Sequence, residues 1–197
     1  MNKKGFKTIT SVSACVMVLL MGMLLSSSSC IDEKPVDQKP TKKTIRYICP
    51  PDSVVADRLS DTVCTILFTA KKATVYKVNP SLQPRDNDIT IGGVVVEKSL
   101  GRMNSQSLYA LQLFLSDKSS YGDGPVVPLT PYAPTIAVEL SGAKGSIYLM
   151  FSLLSQEVGV VCDGLLVATY SYRGRGLMAK LFRQYISKDY LNYLNSL

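Results

Sequence analysis

Between residues 135 and 172 apolar and polar side chains alternate with period two, and that pattern constrains the chain to an antiparallel sheet with one apolar face. TIAVEL alternates, SGAK turns, and GSIYLMFSLL puts Ile147, Leu149, Phe151 and Leu153 on one side. EVGVVC and LLVATYSY then flank Asp163-Gly164. An Asp-Gly pair between β-rich runs is a strong hairpin signal, because both central residues of the favoured turn need positive φ. A plain two-residue turn would set Cys162 opposite Leu165, Val160 opposite Val167 and Val158 opposite Thr169.

Upstream, TIRYIC reads as an extended piece stopped by Pro50 and Pro51. SDTVCTILFTA follows, with Ser60 or Asp61 as N-cap and Val63, Ile66, Leu67 and Ala70 at helical spacing, giving a short helix from about residue 54 or 60 to 71. ATVYKVN is a strand, and ITIGGVVVEKS is a second one with Gly92 and Gly93 in its middle, where a glycine pair marks a bulge or a close approach of backbone. SLYALQLFLSD places Leu108, Leu111 and Leu115 on one helical face from Asn104 or Ser105 to near Asp117. A proline-rich loop leads into the meander, and residues from Leu177 onward form one closing amphipathic helix of about five turns. The expectation is an α+β fold, a mainly antiparallel sheet of five or six strands packed by two longer helices and one short helix.

Histidine is absent from the chain. That excludes Ser-His-Asp and Cys-His catalysis and removes the commonest zinc ligand. No catalytic residue, metal or cofactor is indicated. Cys49, Cys64 and Cys162 are widely spaced among apolar neighbours, which suits structural thiols, paired or free, better than a metal site. The Asp86-Asn87-Asp88 stretch opens like a calcium loop but lacks the later glycine and glutamate, so a self-bonded turn is expected there.

At the other end, Lys3, Lys4 and Lys7 precede an apolar run of about 14 residues from Val12 to Leu25, shorter than the ~20 a bilayer span needs. Ser27, Ser28 and Ser29 then lead directly to Cys30. The pattern resembles a bacterial lipoprotein signal, and Asp32 and Glu33 after the cysteine resemble the export tag of Bacteroidota-type lipoproteins. That resemblance, with the order of elements after residue 45, implies small lipoproteins of the Bacteroidota envelope. It implies lipidation at Cys30 and a place at the outer membrane, periplasmic or surface-facing, and it brings no functional residues. Residues 1–29 would be the signal, 30–43 a charged, proline-bearing tether, and 44–197 a single domain. Losing the signal removes three lysines and no acid from 22 basic and 15 acidic residues, leaving 19 against 15, too mild a balance for nucleic acid.

The expected role is a membrane-anchored, non-catalytic binding or accessory module, its partners the membrane through the lipid and another envelope protein or a glycan. A small histidine-independent hydrolase using a carboxylate pair on carbohydrate is the alternative. In SYRGRG, Arg173 and Arg175 beside a helix start are the candidate anion-binding residues.

Overall fold

The computed structural model describes residues 46–122, 130–142 and 144–197. The signal segment, Cys30 and the tether lie outside these residues. The described part belongs to one compact unit, Lys43–Leu197.

The fold is α+β, with seven strands in one antiparallel sheet. In chain order they are β1 (Lys72–Asn79), β2 (Thr90–Ile91), β3 (Val94–Arg102), β4 (Ile136–Gly142), β5 (Gly145–Ser152), β6 (Glu157–Cys162) and β7 (Leu165–Ser171), and across the sheet the order is β2-β3-β1-β4-β5-β6-β7. Among the described residues five α-helices accompany them: α1 (Ser53–Arg58), α2 (Asp61–Thr69), α3 (Ser105–Ser116), α4 (Arg175–Phe182) and α5 (Lys188–Asn195).

In the piece read as extended, Arg46 to Cys49, Ile48 N–H donates to the Phe68 carbonyl at 2.7 Å. Two elements differ from the sequence expectation. The glycine pair lies outside any strand interior: Gly92 and Gly93, at φ 55° and 81°, form the tight turn that splits the expected strand into β2 and β3. The closing helix is two helices, because Ser187 turns extended and its hydroxyl accepts from Tyr190 N–H, capping a new start at α5. Ser60 caps α2 in the same way, and Asp52 caps a separate α1 before it.

The Asp-Gly turn is where expected, with Asp163 and Gly164 at φ 51° and 79° and Cys162 opposite Leu165. Beyond it a bulge between Val160 and Val161 shifts the ladder by one. Val160 therefore faces Ala168 and Val158 faces Tyr170, not Val167 and Thr169.

Period-two alternation buries both sides of the central strands. Val138, Leu149 and Val160 point to the helix-covered core, where α2 packs on β4 and β5 and α3 packs on β1. On the opposite side Val78, Ile91, Ala137, Met150 and Val161 make a second, smaller core. Two register shifts between β1 and β3 bend that end of the sheet. The bend carries the β2–β3 turn over to β6, so that a Cβ on Gly92 would stand 2.8 Å from Val161 Cγ2.

Buried polar groups act as pins. Gln112 is 1% exposed and its amide donates to the carbonyls of Leu67 and Ala70 at 2.8 and 3.0 Å, satisfying the end of α2. Tyr121 and Tyr132 hydroxyls donate to the carbonyls of Leu115 and Met150. At the β7 edge Leu165, Leu166 and Val167 are 70%, 44% and 56% exposed.

Candidate functional site

A recess lies where the α4–α5 link crosses the β1–β3 side of the sheet. Lys77 on β1 and Lys98 on β3 stand in register as neighbours, Ile136 on β4 pairs with Lys77 from the other side, and Leu100 follows along β3. The break at residues 183–187 brings Tyr185, Ile186 and Ser187 over these strands, with Tyr190 from the first turn of α5. Together with Thr135 they enclose a cleft of about 380 Å³.

Two like charges opposite each other in a ladder repel. Glu97 relieves this: it pairs with Lys77 at 2.5 Å and accepts from Asn79 at 2.7 Å. Those two bonds hold its carboxyl below the usual range, and the nearby Lys98 ammonium adds to the effect. One carboxylate thus stands against two ammonium groups, of which it pairs with Lys77 alone, and the cleft keeps net positive charge. Among the described residues Lys98 itself has no ion pair.

The remaining polar groups of the cleft are mostly engaged. Tyr185 hydroxyl donates to the Arg102 carbonyl at 3.4 Å, and Ser187 Oγ caps α5. Burial pushes the Tyr190 hydroxyl above the ordinary phenol range. Thr135 Oγ1 is buried beside that hydroxyl, whose rise it moderates, and has no other hydrogen-bond partner among the described residues.

Arg173 and Arg175 do not converge. Arg175 N–H donates to Gln156 Oε1 at 3.2 Å and its Nη2 to the Leu154 carbonyl at 3.1 Å, so this guanidinium fastens the β5–β6 connection to the start of α4. Arg173 is exposed, and its backbone N–H donates to the Ser120 carbonyl. Its side chain borders a separate groove between α3 and α4, floored by Leu113, Phe114, Leu177 and Leu181.

Reactive groups are dispersed. Tyr76 donates to Glu139 Oε2 at 2.9 Å on the helix-free side, beside the Tyr148 ring. Glu157, which is buried, sits at the start of β6. Glu139 pairs with Tyr148 and Tyr148 with Val161, four residues from Glu157. Two strand spacings and four residues put the two backbones roughly 16 Å apart, and the Glu139 carboxylate is already held by the Tyr76 hydroxyl. Cys49, Cys64 and Cys162 are free thiols, and burial pushes the first two above their ordinary pKa. Among the described residues no group of three His, Cys, Asp or Glu side chains gathers as a metal ion would require.

These shifts carry a pH dependence. Burial also raises Tyr121, Tyr132 and Tyr172, and burial together with Glu139 takes Tyr76 to about 12. In the unfolded chain thiols ionise near ~8.5 and phenols near ~10. Above those values the unfolded chain binds fewer protons than the fold, so stability falls as pH rises. It should be full below about pH 8, decline from ~8.5 and steepen above ~10. Urea unfolding at pH 7, 9 and 10.5 measures this, and a flat profile would mean that these groups ionise as freely inside the fold as outside.

Sequence reasoning missed the cleft. Lys77 and Lys98 look like ordinary solvent-side strand residues, and their meeting depends on the β1–β3 register and on a helix break read as continuous. Comparison of the chain with protein-family models, with curated proteins and with solved structures finds no match.

Proposed function

We propose that the chain is a lipid-anchored envelope lipoprotein whose domain is a non-catalytic binding module, with the Lys77–Lys98 cleft as its ligand site. One observation carries the binding reading: apolar walls, two ammonium groups and the Thr135 and Tyr190 hydroxyls converge in a single recess. Among the described residues the thiols, phenols and carboxylates named above are dispersed, which supports binding over the carbohydrate hydrolase. The anchor rests on the lysines, the apolar run and the serines that precede Cys30. Two acyl attachments at that residue would hold the protein on a membrane where one binds reversibly. No helix among the described residues is long and apolar enough to cross a membrane.

Metabolic labelling with radioactive palmitate tests the anchor. The full chain should incorporate label, and Cys30→Ala should lose it. Equal incorporation by both chains would place the acyl group elsewhere and remove the basis for the anchor.

A further inference from the structure

We propose that the cleft takes a single acyl chain ending in an anionic group, the chemistry shared by a fatty acid and a lysophospholipid. This rests on the reading of the cleft as the ligand site and adds what the ligand is. The lining is asymmetric along the strands. Lys77 and Lys98 occupy one rung of the ladder, whereas Leu100 lies two residues, roughly 7 Å, further along β3. Ile136, Ile186 and the rings of Tyr185 and Tyr190 supply the rest of the wall. A ligand matching this wall is charged at one end and apolar along its length.

The accounting of polar groups separates this from a glycan. A sugar needs several donors and acceptors along its length, since each polar group buried without a partner costs affinity. Here Tyr185 and Ser187 are already bonded within the protein and Lys77 is shared with Glu97. That leaves the Lys98 ammonium and the Thr135 and Tyr190 hydroxyls, which lie against each other, enough for one anionic head and too few for a row of sugar hydroxyls. The positive balance of the cleft also favours a carboxylate or phosphate over a neutral head.

The test uses the full chain in its own membranes, with a diazirine-bearing hexadecanoic acid as photoprobe and mass-spectrometric mapping of labelled peptides. Label should fall on the peptides holding Ile136 and Ile186, and unlabelled hexadecanoate should compete it away. A lysophosphatidate that competes more strongly would identify phosphate as the preferred head within the same class. Lys98→Glu should lower labelling by roughly fivefold or more, Lys98→Arg should preserve it, and both should melt like the parent because Lys98 is exposed and outside the core. If diazirine-bearing hexadecanol labels these peptides equally and Lys98→Glu has no effect, the anionic head is wrong while the cleft stands as a binding site. If neither probe reaches these peptides, the cleft is not a ligand site and the binding-module reading falls with it.

Discussion

Phe182→Ala should lower stability by about 3–5 kcal/mol, a drop of roughly 10 °C in Tm for a domain of this size. Phe182 is the last residue of α4, is fully buried, and stacks at 5.0 Å on Phe151 of β5. Phe151 in turn meets the edge of Tyr172, whose hydroxyl reaches the Ser152 carbonyl. Alanine leaves a cavity between sheet and helix at the point where α4 ends and the α4–α5 link begins. The link forms one wall of the cleft, so the same variant should also bind an acyl probe less well at temperatures where it remains folded. A thermal melt within about 2 °C of the parent would mean that α4 is not seated on the sheet as described.

The second large effect is expected at a turn. Gly92 and Gly164 each occupy a two-residue hairpin at positive φ, so valine strains the backbone in both by about 1–3 kcal/mol. They differ in what surrounds them. A Cβ on Gly164 meets nothing within 4 Å, while one on Gly92 would collide with Val161 Cγ2 and crowd Met150 Sδ at 3.3 Å. Overpacking adds a further ~1–3 kcal/mol, so Gly92→Val should cost several kcal/mol and clearly more than Gly164→Val. Equal denaturant midpoints for the two variants would show that the β2–β3 turn does not reach across to β6.

The same glycines show what could be read from the chain. Asp163-Gly164 announces its hairpin because strong alternation flanks it on both sides. Gly92-Gly93 lacks that frame, since only Thr90 and Ile91 precede it in β2, and a two-residue strand is too short to display a period. The α+β class and the antiparallel meander followed from local pattern. The register beyond Val160 did not, because a bulge is decided by packing on both faces of β6. The apolar spacing from Leu177 onward argues for one helix, and the contact of Tyr185 and Ile186 with the core overrides it. Arg173 and Arg175 invited an anion because they are close in sequence. The structure engages Arg175 with the Leu154 carbonyl, a residue 21 positions away that no local motif could indicate.

The two lateral ends of the sheet are guarded unequally. Beyond the two residues of β2, the outer rim of β3 carries Glu97, Lys98 and Arg102, charges that discourage an added strand. Leu165–Ser171, at the far end, has no charge at all; Tyr121 and Gly122 meet the chain near Tyr172 and Ser171, and the Tyr170 hydroxyl donates to the Arg58 carbonyl. Copies crowded in a plane would therefore have a single sticky flank each. Flank-to-flank contact of that kind is self-terminating: two molecules satisfy one another and no third can join, whereas a sheet bare on both sides would grow into a filament.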